Sequence, residues 1–349
     1  MLKKIKKKSK KEKGRSNPSL FSTMEIGSIH LQGQVILGPM AGITNAAYRS
    51  FCKEFGCALT YTEMVSDCGL IYQNEETYKY LRIEENDHPV ALQLFGGKKT
   101  TLLQALEIVK KKKVPCDIID INMGCPVPKV TKTGAGSSWL RRTSEMKEMM
   151  TEFVKNSPVP VTVKIRLGWD ASQINFKENV KALEEAGVKM ICIHARTRAQ
   201  LYQGKANYEL LRGLREQMQI PLVISGDIFS LEDAIQALEM THADGVMVAR
   251  GALGNPQLIR QIDHYLKTGE KLPNTPLQEQ MQYLLDFADR LIALKGEEVA
   301  IRELRGIGPH FLKGYPNLRK YKIRMTSELK TRQDLKEIVE EIERNLPNL

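Results

Sequence analysis

Residues 117–126 read Asp-Ile-Ile-Asp-Ile-Asn-Met-Gly-Cys-Pro. The Ile-rich run is short, apolar and β-branched, which suits a strand buried on both faces of a parallel sheet. It stops abruptly at Asn122, and Gly124, Cys125 and Pro126 cannot continue it. A buried strand that delivers an amide and a thiol into a turn is how α/β proteins build sites. Taken alone, the stretch reads equally well as a strand followed by a loop with a chance cysteine. Its weight comes from seven other strands that end in the same manner.

Working outward, buried-strand patterns fall at Val35–Gly38, Ala58–Glu63, Val90–Phe95, Asp117–Asn122, Val161–Arg166, Met190–His194, Leu222–Ser225 and Gly245–Ala249. Amphipathic helical patterns separate them, among them Phe176–Ala186 closed by Gly187 and Leu231–Met240 opened by Ser230. Eight parallel strands in βα rhythm predict an α/β fold, a (β/α)8 TIM barrel, because closure removes both sheet edges. After Pro276 the pattern turns wholly helical. Met281, Leu284, Leu285, Ala288, Leu291 and Ile292 follow helical spacing up to Gly296, and Thr331 is placed to cap a last helix through Leu335, Ile338, Val339 and Ile342. The expected organisation is a disordered Lys-rich tail over 1–23, a catalytic barrel over 24–270 and a small all-α bundle over 275–349.

Composition narrows the function. The 349 residues are 42% hydrophobic, enough for a large core. No apolar run approaches membrane-spanning length, and no signal-peptide pattern follows the basic start. The six cysteines are scattered without a C-x-x-C pair, which predicts a reduced cytoplasmic protein and no zinc site. The net charge of +11 is uneven: residues 1–15 contribute +8 and residues 302–332 contribute +7, so the remainder is −4. Two basic clusters on a nearly neutral body predict a polyanion held at the edges of an enzyme, although a Lys-rich tail also serves as a solubiliser.

In a barrel all strand C-termini face one mouth. Here those ends carry Pro39-Met40-Ala41-Gly42, Glu63-Met64, Gln93, Asn122 with Cys125, Lys164 with Arg166, His194 with Arg196, Ser225-Gly226-Asp227 and Ala249-Arg250-Gly251. The last two groups, after strands seven and eight, have the glycine content and position of a phosphate cradle. Lys164 interrupts an apolar strand, and a lysine there needs an anion or a polarised carbonyl as partner. His194 alone reads as a core histidine, but it shares the mouth with Lys164 and Cys125. Cys125 can act as nucleophile or acid, or be inert. Pro126 removes one N–H after it, so the thiol is able to keep its proton and donate it.

Assembled, these motifs resemble the tRNA-dihydrouridine synthases, most closely the bacterial B type. The matching segments are Gly38–Thr44, Thr62–Met64, Gln93, Asp120–Pro126, Lys129, Gly134–Ser137, Val163–Arg166, His194–Arg198, Gly226-Asp227 and Ala249–Gly251. Ser225 stands where the family usually has Asn, and Ala249 where Gly often precedes the arginine. The resemblance implies tight non-covalent FMN, NAD(P)H as electron donor, tRNA as substrate and no metal. It further implies hydride delivery from the flavin N5 to C6 of uracil, with Cys125 protonating C5. Lys164 would stabilise charge on the reduced flavin and Gln93 would bond its polar edge. Pro39, Met40 and Ala41 would pack beneath the ring, and His194, Ser225, Gly226, Asp227, Ala249 and Arg250 would complete the cofactor site. Asn122 and Arg196 would hold the uracil, while Arg319, Lys320, Lys322 and Arg324 would grip tRNA phosphates around an extruded base. A monomer is expected. The alternatives are a flavin barrel acting on a free pyrimidine, as dihydroorotate dehydrogenase does, and an inactive RNA-binding scaffold. The first has no use for the basic helices, and the second has no use for Cys125 and Lys164.

Overall fold

The computed structural model describes residues 23–346. Apart from Thr23, the tail over 1–23 lies outside the described residues. Eight parallel strands form the barrel: β1 Val35–Leu37, β2 Thr60–Tyr61, β3 Val90–Phe95, β4 Ile118–Met123, β5 Val161–Arg166, β6 Ile191–His194, β7 Leu222–Ser225 and β8 Gly245–Val248. They run in sequence around the sheet, with β8 returning to pair with β1. The β1–β2 seam closes through the bridge Ile36–Leu59 and the bond from Leu37 N–H to the Leu59 carbonyl at 2.9 Å. The second strand is shorter than its sequence pattern because Glu63 turns away to accept the Gly42 N–H, at 2.7 Å. A further short strand, Val65–Ser66, then pairs with the end of β3.

Period-two alternation decides what faces inward. Ile119, Ile121 and Met123 of β4, and Val161, Val163 and Ile165 of β5, pack outward against the helices in the main core. The alternate residues point inside. The lower interior is apolar and includes Ile36, Tyr61, Ile118, Cys192 and Val223. Met24, Ile26 and Leu31 join this cluster from a hairpin, Met24–Ile26 with Ile29–Leu31, that closes the end of the barrel opposite the mouth. Higher up the interior turns polar. Gln93, Asp120 and Thr162 are register neighbours, followed by Asn122 and Lys164.

Four helices follow the barrel: Leu277–Lys295, Glu297–Phe311, Arg319–Ser327 and Arg332–Asn345. Thr331 caps the last, its side chain accepting from the Asp334 N–H while the Asp334 carboxylate accepts in return. The sequence pattern reads as a separate bundle, yet these helices share one core with the barrel. Phe287 lies 5.3 Å from Tyr48 in an edge-on pair and 5.9 Å from Phe311 in a stacked one, so an aromatic cluster fixes them on the first barrel helix. Gln280 adds a polar tie, donating to the carbonyls of Gly254 and Phe311 at 2.6 and 3.0 Å.

Candidate active site

The mouth holds a cavity of about 420 Å³, within the roughly 300–1,000 Å³ usual for cofactor and small-molecule sites. Its wall brings together Pro39, Met40, Ala41, Asn122, Cys125, Lys164, His194, Ser225, Gly226, Asp227, Ala249 and Arg250. Gln93 and Arg196 are not on it. The four helix cations lie elsewhere.

Asn122 organises the thiol loop. Its Oδ1 accepts the N–H groups of Gly124 and Cys125, at 3.2 and 2.8 Å. Its Nδ2 donates to Gln93 Oε1 at 2.9 Å. Gln93 in turn donates to Asp120, at 2.7 Å, and is fully buried beneath the mouth. Its amide thus bonds Asp120 at one end and Asn122 at the other, inside the barrel. Asp120 also accepts from Thr162 at 2.6 Å, and burial pushes its carboxyl up to about 6.

Cys125 is buried, and burial raises its thiol above the ordinary value. The Val127 N–H, Arg166 and Lys164 oppose that rise without cancelling it. The thiol is thus protonated at neutral pH. Lys164 is lowered by burial, with Arg166 adding to the effect and Asp120 opposing it.

Arg166 ends the same strand two residues after Lys164, and so lies on the same face. It donates to the Gly124 carbonyl at 2.9 Å and to Thr197 and Leu201 carbonyls at 2.8 and 2.7 Å. One guanidinium thereby ties the thiol loop to the loop after β6. Tyr202, on that second loop and half exposed, lies under the guanidinium groups of Arg166 and Arg250. A lone tyrosine in an aperiodic loop gave no signal in the sequence.

The β7 and β8 ends form the cradle. Gly226 has φ of 114°, and a Cβ there would come within 2.9 Å of the His194 ring. At Gly251 a Cβ would meet the Ile228 carbonyl oxygen at 2.0 Å, so only glycine allows the two loops to close. Among the described residues no backbone acceptor pairs with the N–H groups of Gly226, Asp227, Arg250 or Gly251. The Ser225 hydroxyl is likewise buried without a partner. Unmatched donors beside Arg250 fit an anionic group such as the phosphate of FMN.

Arg196 stands behind this cradle. It is 1% exposed and bonds Asp227 at 2.5 Å, with further bonds to the Gln203 and Gly204 carbonyls. Its guanidinium thus braces the loop after β6 against Asp227. Burial opposes charge on Asp227, but Arg196, the Ala206 N–H and Arg250 more than offset that and hold the carboxyl below its usual value. His194 is driven far down by burial and then by Lys164, Arg166, Arg196 and Arg250. It is neutral, and since Arg196 can only donate, Nε2 is the acceptor and Nδ1 carries the proton.

The helix cations divide into two pairs. Lys320 and Arg324 both reach Glu341 of the last helix, the former at 3.3 Å. Among the described residues no carboxylate lies within ion-pair distance of Arg319 or Lys322. The described residues contain no group of three metal-ligating side chains, and no helix long and apolar enough to cross a membrane.

Fold and mouth define a (β/α)8-barrel enzyme with its site at the strand C-termini. The fold is shared with an old yellow enzyme homologue from Zymomonas mobilis, with a TM-score of 0.53 and 14% identity over 74% of this chain and 94% of that one. Dihydrouridine synthase (Dus) is the family whose pattern matches, over residues 36–346. The chain is 36% identical to tRNA-dihydrouridine synthase B of Pseudomonas aeruginosa, covering 86% of this chain and 90% of the relative. It is 38% identical to a probable tRNA-dihydrouridine synthase 1 of Synechocystis, over 80% and 79%. The chain belongs to the dihydrouridine synthase family.

Proposed function

We propose that this protein reduces uridines in tRNA to 5,6-dihydrouridine, using FMN in the barrel mouth and NADPH as electron donor. The observation that carries the reading is Cys125, a thiol that burial keeps protonated on the wall of a cavity whose other side is an anion cradle. Family membership and the names of the relatives support the same reading.

Bound FMN, once reduced, supplies the hydride received at C6 of the uracil. The chain's own residues do the rest. Ser225, the backbone of Gly226 and Ala249, and Arg250 hold the phosphate, and Asp227 with Arg196 fixes the loop that presents them. Pro39, Met40 and Ala41 line the cavity beside them, and neutral His194 offers its Nδ1–H as a donor. Lys164 stabilises negative charge in the mouth. Cys125 gives its proton to C5 as the C5=C6 π bond is lost, and the thiolate recovers a proton from solvent. Asn122 holds the thiol in place through the Cys125 N–H.

A uridine within folded tRNA must leave its stack to enter this mouth. Cations of the C-terminal helices, Arg319 and Lys322 foremost, contact phosphates while it does so. On this reading residues 24–270 carry the chemistry, residues 275–349 carry the RNA, and a cytoplasmic monomer suffices. The test incubates purified holoprotein with NADPH and unmodified tRNA, and maps dihydrouridine by mass spectrometry. Dihydrouridine at defined positions is expected. Reduction of free uracil or orotate with tRNA untouched would overturn the proposal.

A further inference from the structure

One point of the C-terminal helices is fixed directly against the mouth. Leu253 lines the cavity, and the next residue, Gly254, packs on the end of helix Glu297–Phe311, where a Cβ would collide with the His310 backbone. Gln280 locks this contact by donating to the carbonyls of Gly254 and Phe311. The Lys313 N–H donates to the His310 carbonyl at 3.1 Å, which holds the following turn close. Lys313 Nζ lies 5.5 Å from the centre of the Phe229 ring, and Phe229 belongs to the wall of the mouth. His310 therefore stands beside the entrance, and its side chain is exposed.

The charges gathered here are unbalanced. Those acting on the His310 imidazole are Lys313, from the turn, and Lys322, from helix Arg319–Ser327. Its own helix and the turn Ala252–Asn255 bring it none. Among the described residues no carboxylate lies within ion-pair distance of Lys313 or Lys322. Other cations of these helices are neutralised: Lys295 by Glu303, Lys320 and Arg324 by Glu341, and Arg332 by Asp289. Partial burial and then the two lysines hold the imidazole below its ordinary value, so the free protein carries it neutral at pH 7.

Three cationic or protonatable groups without a counter-charge suit an anion, and a phosphodiester meets each of them. Its charge offsets both lysines, and its oxygens accept from an imidazolium. Both effects favour the charged form of the ring, so a phosphate seated here raises the proton affinity that the lysines depress.

We propose that His310, Lys313 and Lys322 hold the RNA phosphates next to the extruded uridine, and that His310 takes one proton from solvent when the RNA binds. The inference rests on the tRNA-reductase reading and adds a proton to the binding step. Because the bound ring carries a proton that the free ring lacks, RNA affinity strengthens as pH falls through neutrality. Fluorescence anisotropy of labelled, unmodified tRNA with the full-length holoprotein, at one salt concentration and at pH 8, 7 and 6, reads this directly. The dissociation constant should fall several-fold across that range, with a ceiling of about tenfold for each unit by which binding raises the proton affinity. His310→Gln, at an exposed position, should lose most of that dependence, whereas groups that titrate elsewhere act equally on both proteins. Lys313→Gln should weaken binding and shrink the dependence, because the free ring then starts with more proton affinity. A pH-independent parent, a parent that binds no tRNA, or a His310→Gln variant with the parental dependence overturns the proposal. So does a Lys313→Gln variant that raises KM for NADPH alone, which would assign the phosphate to the dinucleotide. Dihydrouridine is scored on the same preparation: tRNA bound with the expected pH dependence but not reduced would refute the reductase reading while supporting the phosphate contact.

Discussion

Asn122→Ala tests how the thiol is held. The substitution takes the acceptor from two backbone N–H groups, those of Gly124 and Cys125, and the donor from Gln93 Oε1. All three groups are buried. At about 1 kcal/mol for each unmade bond the loss of stability is about 3 kcal/mol, read from urea unfolding of the holoprotein. The kinetic effect is separate. Arg166 still ties the Gly124 carbonyl to the neighbouring loop, so the turn loosens at Cys125 rather than collapsing. A displacement of about 1 Å in a reacting group costs on the order of 10²-fold in rate, so single-turnover dihydrouridine formation should fall by about that factor while flavin reduction by NADPH is unchanged. Asn122→Asp keeps both N–H acceptors but sets an oxygen against Gln93, and should fall between the variant and the parent. An Ala variant within 1 kcal/mol of the parent, with parental single-turnover rate, would refute the reasoning.

Arg196→Met leaves Asp227 and the Gly204 carbonyl without their charge-assisted partner, so the FMN dissociation constant should rise roughly 10–100-fold. A raised KM for tRNA with unaltered flavin affinity would instead return Arg196 to the uracil. Among the helix cations, replacing Arg319 and Lys322 with Gln should lower the salt slope of tRNA binding by about 2, and replacing Lys320 and Arg324 by less, because Glu341 already engages the latter pair. Equal slopes for the two double variants would remove that distinction.

Much of this architecture is legible in the chain because it is local. The runs Val90–Phe95, Val161–Arg166 and Leu222–Ser225 coincide with strands residue for residue, and Ser230 and Thr331 cap their helices as their spacing implies. What escapes is short or non-local. The hairpin at Met24–Leu31 has three-residue strands, too brief to display alternation, yet it closes one end of the barrel. Gln93 and Arg196 sit at the right strand ends, but the destination of a long side chain depends on what other loops offer it. For Arg196 that is Gln203, Gly204 and Asp227. The pairing of Lys320 and Arg324 with Glu341 joins two helices and has no periodic trace. Phe229 and Tyr202 stand in loops, where only the assembled mouth gives them a role.

The account depends most on Cys125 acting after electron transfer, as the proton donor. Cys125→Ala, assayed for flavin reduction by NADPH and for dihydrouridine in tRNA on the same preparation, tests that directly. Because the parental thiol is raised above its ordinary value, the parent's rate should hold through neutral pH and decline only on the alkaline side. The variant should reduce its flavin at the parental rate and form dihydrouridine roughly 10²–10⁴-fold more slowly. Parental dihydrouridine yield from the variant, or flavin reduction lost together with product, would contradict it.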